Sequence, residues 1–193
     1  KRYYNTSPVK FQEKKNVFYT KRISWNMRII EYNREAAVAY ARRWAFSRNP
    51  AYYNFDALGG DCTNFASQCM FAGCGVMNYT PDLGWFYNSL NSRSAAWTGV
   101  EYFHRFLTEN TTRKIGNGAG PFAEEVPLSA LEIGDFVQLG NGAGDFYHTP
   151  VIVGFFRGTP LVAAHTNDAF ERPLSSYSYA RIRCLHILGA RIE

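Results

Sequence analysis

Between Asn33 and Arg48 the chain reads NREAAVAYARRWAFSR, with Ala37, Tyr40, Ala41 and Trp44 three or four positions apart. That spacing stacks apolar side chains on one face of a helix. Asn33 is placed to cap its first turn, and Pro50 stops the run. A loop with a Gly-Gly hinge, YYNFDALGGD, follows. A second helix is predicted over CTNFASQCMFAG, with Asp61 at its cap and Gly73 and Gly75 closing it. The next stretch, MNYTPDLGWFYNSLNSRSAAWT, is irregular, polar and aromatic. A third helix is predicted over GVEYFHRFLTEN, with Thr98 as its cap. Beyond the Gly/Asn/Pro-rich break at residues 117–127, the runs DFVQLG, HTPVIVGFF, PLVAAHT and ARIRCLHILGARI are short, β-branched and aromatic, with turn residues between them.

Helices first and an antiparallel meander second make the class α+β. NVFYTKRISW alternates weakly, so residues 1–30 are expected to be a basic arm or an added strand. Residues 31–193 are expected to form one domain.

The chain has 193 residues, 46% hydrophobic and 19% charged, which suits one domain with a sizeable core. No apolar run approaches a membrane span. The formal charge is +5, and Lys1 to Arg28 holds eight Lys/Arg against Glu13 alone. Such an arm would attract a polyanion such as an anionic wall polymer. No nucleic-acid motif interleaves with it, so nucleic acid is not expected as a partner. Aromatic residues make up 17% of the chain. Around Trp85, Tyr87 and Trp97 they are expected to form one wall of a cleft, with Asp61 beside it as a substrate contact.

Three of the four cysteines lie in GGDCTNFASQCMFAGCG. Cys62 would open a helix directly after two glycines. Unpaired amides and the helix dipole favour an anion there, so its thiol pKa is expected to fall. A nucleophilic Cys needs a base and a group that orients the base. His148 begins HTPVIVGFF after a glycine-rich loop, where a side chain can be both held and exposed. The orienting group is expected from LVAAHTND. Alternation puts His165 and Asn167 on one face and Asp168 on the other. His165 is preferred, then Asn167, with Asp168 third. Cys69, Cys74 and Cys184 read as packed thiols, and His104 and His186 as structural. Cysteine spacings of 7 and 5 do not suit a zinc site, so neither a metal nor another cofactor is expected. Cys62 and Cys69 on one helix would lie about 10 Å apart, beyond disulfide reach.

The segments NREAAVAYARRWAFSRNPAYYNFDALGGDCTNFASQCMFAGC, NYTPDLGWFYNS, AAWTGVEYFHRFL, LEIGDFVQL, HTPVIVGF, AAHTND and RPLSSY carry a family resemblance. They resemble the Putative amidase domain of cell-surface and spore-related proteins of Gram-positive bacteria. The likeness covers Glu31 to Glu193. That family is similar to NlpC-type and CHAP-type papain-like cysteine hydrolases. The resemblance implies a papain-like fold, its nucleophile helix packed on a mostly antiparallel sheet. It implies Cys62 as nucleophile, His148 as base, and His165 or Asn167 as the third catalytic residue. Asp56 stands where papain-like enzymes place an oxyanion Gln, so the oxyanion hole falls to backbone N–H groups, chiefly that of Cys62, with a side chain from YYNFD. The implied activity is hydrolysis of a peptide amide in bacterial peptidoglycan through a thioester, by a secreted, cell-surface or spore-associated protein expected to be monomeric. Two other readings stand beside it: a transglutaminase-like acyl transferase, which Asp168 as third member would favour, and a non-catalytic wall-binding module.

Overall fold

The computed structural model describes residues 27–110 and 118–192. Most of the basic N-terminal stretch, with NVFYTKRISW, lies outside them. The chain begins with strand β1 (Arg28–Ile30), helix α1 (Arg34–Trp44) and helix α2 (Cys62–Cys74). A small hairpin follows, β2 (Tyr87–Ser89) and β3 (Ser92–Arg93), then helices α3 (Ala95–Thr98) and α4 (Val100–Asn110). The remaining strands are β4 (Gly120–Glu125), β5 (Phe136–Gly140), β6 (Phe146–His148) and β7 (Val151–Phe156). They are completed by β8 (Thr159–Ala164), β9 (Ala169–Pro173) and β10 (Arg181–Ile192). The architecture is α+β. None of the described helices is long and apolar enough to cross a membrane.

The main sheet runs β1-β10-β5-β7-β8-β9, with β4 added on β10 and β6 on β5, and these pairings are antiparallel. The long strand β10 pairs with β5 through its first half and with β4 and β1 through its second. A register slip near Gly189, which has φ +142°, bends it between the two.

Alternation along the strands builds two cores. Phe136, Val151, Val153, Ala163 and Leu185 face the helices. Val137, Ile152, Val162 and Cys184, one residue out of phase, face a second cluster with Leu131, Leu139 and Leu174. A sheet covered on both faces explains why its strands read as nearly continuous apolar runs.

Helix α2 lies at the centre. All its residues except Phe71 and Ala72 are buried, as expected of a helix packed all round. Its polar residues are spoken for: Trp97 Nε1 donates to Asn64 Oδ1 at 2.9 Å, and Trp85 Nε1 to Ser67 Oγ at 3.0 Å. Helix α1 is capped by Asn33, whose Oδ1 accepts from Ala36 N at 2.9 Å. Arg34 then anchors that helix to the sheet by donating to Asp135 Oδ1 at 2.6 Å and to the carbonyls of Ile133 and Ile187.

Two boundaries differ from expectation. The run HTPVIVGFF is not one strand: β6 ends at His148 and β7 starts at Val151, because Pro150 has no N–H to give the ladder. Thr98 does not cap α4. It ends the short helix α3, and Gly99 separates the two.

Candidate active site

Asp61 immediately precedes α2 and is fully buried. Its carboxylate does not cap the helix. Oδ1 instead accepts from Phe55 N at 2.9 Å and from Asn64 Nδ2 at 2.8 Å. Oδ2 faces His165 Nδ1 at 2.6 Å, with Arg48 Nε at 3.6 Å. The backbone N–H of Asp61 donates to Thr166 Oγ1. One side chain therefore ties the preceding loop, the first turn of α2, and the end of β8 together. Asp61 was expected as a substrate contact; its burial and its full set of protein partners make it a structural anchor instead.

His165 was expected to orient His148. Its ring turns the other way. Nδ1 meets Asp61, Nε2 meets the Trp44 carbonyl at 2.9 Å, and the ring stacks on Phe65 with centroids 3.9 Å apart. Both ring nitrogens therefore face oxygen acceptors and have protein partners. Asn167 is exposed in a turn at φ +74°. Asp168 is gripped by Arg48 through two bonds of 2.9 Å. None of the three hydrogen-bonds to His148.

Cys62 opens α2, as expected, and is 7% exposed. Its sulfur lies 3.9 Å from the Tyr147 carbonyl and 3.8 Å from Thr63 Oγ1, and the Thr149 amide points at it. It thus sits against the peptide groups on either side of His148. The juxtaposition is locked from behind. Thr63 Oγ1 and Thr149 Oγ1 are 3.1 Å apart, and buried Gln138 donates to Thr149 Oγ1 and to the Val100 carbonyl. The His148 ring is mostly buried, with the Tyr177 ring centroid at 5.7 Å. Among the described residues no hydrogen bond joins the Cys62 thiol to that ring, a separation common in catalytic pairs before substrate binds.

Trp85 and Trp97 are fully buried, and the Tyr87 hydroxyl accepts from Tyr53 N. The two tryptophans pack the irregular loop onto α2 and wall no cleft, whereas Tyr87 lines a shallow cavity of about 420 Å³ with Tyr52, Tyr53 and Asn54. Two residues that touch the first turn of α2 through their carbonyls carry exposed rings: Tyr147, 49% exposed, against the Cys62 sulfur, and Tyr53, 41% exposed, against Asn64. Cys69, Cys74 and Cys184 are free and buried. His104 pairs with Glu125 and His186 with Asp135. Among the described residues no cluster of His, Cys, Asp or Glu could hold a metal.

A family profile described as Putative amidase domain matches residues 31–188. The chain belongs to this family. It is 35% identical over 148 residues to Uncharacterized protein YhbB of Bacillus subtilis (strain 168), covering 75% of this chain and 45% of that protein. The chain thus spans less than half the length of that relative. No solved structure matches.

The electrostatics of this amidase-family site depart from expectation at one point. The dipole of α2 and the amides of Thr63 and Thr149 favour a thiolate, but burial dominates and pushes the Cys62 thiol above its ordinary value. The negative charge of Asp61 adds to the rise. Burial, with the charge of Arg172 second, lowers His148 to about 4. At neutral pH the pair is therefore a thiol and a neutral imidazole.

Two outcomes follow. Asp61→Asn breaks a buried carboxylate's matched hydrogen bonds and should cost about 2 kcal/mol or more in urea denaturation at pH 7; a loss below about 1 kcal/mol would refute the anchoring role. The rate of Cys62 alkylation by iodoacetamide should keep rising as pH passes 9.0, the ordinary thiol value that burial raises. A plateau already reached near pH 6, typical of a thiolate–imidazolium pair, would contradict the un-ionised resting state.

Proposed function

We propose that the protein is a cysteine-dependent amide hydrolase with Cys62 as nucleophile and His148 as general base. The observation that carries this reading is the position of the Cys62 sulfur, at the first turn of the central helix and against the backbone on both sides of His148. The amidase family match supports the same class of chemistry.

The steps follow from the protonation states. The neutral His148 ring takes the thiol proton as sulfur attacks the amide carbonyl carbon, forming the C–S bond. The carbonyl oxygen becomes an oxyanion. First-turn amides of α2, led by that of Cys62, are the nearest donors, because helical geometry leaves them without intrahelical partners and Asp61 does not cap them. The C–N bond then breaks as the imidazolium returns its proton to the leaving amine. Water, activated by the same ring, cleaves the thioester and frees the acid. Because the resting pair is un-ionised, proton transfer and attack belong to one step.

Among the described residues no third side chain hydrogen-bonds to the imidazole. Strand β6 and the Tyr177 ring hold it instead, and His165 acts through Asp61 on the helix that carries the nucleophile. Asp168 is engaged with Arg48, which weighs against the transglutaminase-like reading. A nucleophile helix packed on an antiparallel sheet supports a papain-like relationship. The substrate we favour is a peptide linkage of bacterial cell wall, acted on outside the cell or at its surface. Its support is the resemblance of the motifs around Cys62, His148 and Arg172 to domains of cell-surface and spore-related proteins.

Purified cell walls incubated with the protein should release new amino groups. Cys62→Ala should abolish the release while the melting temperature stays within a few degrees. His148→Gln should lower kcat by about 10²–10⁴-fold. Equal release by Cys62→Ala would refute the mechanism. Wall binding without any release by the native protein would favour the binding-module reading.

A further inference from the structure

Arg172 is the charged side chain beside the acting pair that the mechanism leaves unused. It lies on β9, half-buried, opposite Val162 in the β8–β9 ladder. Its guanidinium sits 4.0 Å above the Tyr177 ring, and that ring is 5.7 Å from the His148 ring. Nε donates to Ser176 Oγ at 2.9 Å and Nη2 to the Ser176 carbonyl at 3.3 Å, so the fork is held in one orientation. Three other partly buried arginines have acids: Arg34 has Asp135, Arg48 has Asp56 and Asp168, and Arg183 has Glu101; Arg93 stacks on Phe55 instead, away from His148. Among the described residues no carboxylate pairs with Arg172.

The backbone is distorted to produce this placement. Glu171, the preceding residue, has φ +56° inside a strand, and the β8–β9 register slips at the same point. A non-glycine residue held there costs on the order of 1 kcal/mol. The distortion sends Glu171 outward to Arg42, 3.5 Å away, and Arg172 onto Tyr177. Bulges of this kind recur beside active sites because they re-aim a side chain. An oriented guanidinium without an acid next to a base is also unfavourable to the imidazolium that the reaction must form, adding to the larger effect of burial on His148. An anion bound on Arg172 would cancel that repulsion.

We propose that Arg172 is a specificity-determining residue, receiving a carboxylate of the substrate that lies next to the amide bond attacked by Cys62. The substrate class is then an acidic peptide with a free carboxylate beside the scissile linkage. A guanidinium fork stacked on an aromatic face and fixed along one edge suits a carboxylate, which it binds through parallel N–H bonds. The proposal rests on Cys62 and His148 being the acting pair.

The test separates binding from turnover. Two tetrapeptides with a γ-linked glutamyl residue are compared, one with its α-carboxyl group free and one with it as the primary carboxamide. Titration calorimetry on Cys62→Ala should show the carboxylate peptide binding about tenfold tighter. With Arg172→Gln added, the two should bind within about twofold. Arg172→Lys, which keeps the charge and loses the fork, should fall between them. Circular dichroism confirms that each variant is folded. Equal affinities for Cys62→Ala, no binding of the carboxylate peptide at millimolar concentration, or a preference that survives Arg172→Gln would overturn the proposal. Turnover by the native protein is read in parallel. A carboxylate preference in binding with no turnover refutes the hydrolase reading and leaves the carboxylate site standing. Turnover of both peptides without preference refutes the site and leaves the hydrolase.

Discussion

The carboxylate of Asp61 carries a negative charge in the interior, and such a charge is tolerable only if its lone pairs are matched. Here Phe55 N and the Asn64 amide take one oxygen and the His165 ring the other. The consequence is positional. Four segments distant in sequence are fixed around a single atom pair: the end of α1 through His165, the loop before α2, α2 itself and the end of β8. Cys62 is the next residue. Its place at the helix mouth follows from the anchoring of Asp61 more than from any contact of its own. The polar chain Thr63–Thr149–Gln138 supplies the complementary lock, holding the strand that carries His148 against the same helix turn.

Burial that gives this precision also sets the chemistry. A cysteine and a histidine that are each 7% exposed both favour their neutral forms. In place of a pre-formed thiolate the site holds an un-ionised thiol and imidazole, and in the mechanism we propose the proton moves as sulfur attacks a carbonyl. Such a pair is poorly reactive towards bulk electrophiles. On the proposed mechanism the electrostatic character of a bound substrate matters, and Arg172 is the charge we propose to sense it.

Much of this was readable in the sequence. The three- and four-residue spacing around Ala37 to Trp44, with Asn33 at its cap, identified α1, and the apolar run bounded by Gly75 identified α2. The places of Cys62 and His148 at element boundaries were legible from the glycine-rich chain beside each. What was not readable depended on direction. Whether His165 turns toward His148 or away from it is decided by Asp61 and Trp44, 104 and 121 residues distant. Trp85 and Trp97 look alike in a loop whether they line a cleft or fill a core. The available signal was on the other side: Asn64 and Ser67, polar residues on an otherwise apolar helix, needed buried donors. The dipole argument for a lowered thiol pKa was sound in sign but omitted desolvation, which only packing reveals. Arg172 and Tyr177 lay within RPLSSY, a motif conspicuous in the sequence without any role legible from spacing.

The central claim is that Cys62 becomes acylated by substrate. Acid-quenching the native protein during turnover of a susceptible peptide, then measuring intact mass and mapping the modified site, tests it most directly. The account predicts a mass increase equal to the acyl portion of the peptide, located on Cys62 and lost on treatment with hydroxylamine. Product formation with no adduct on Cys62, or an adduct on another residue, would contradict it.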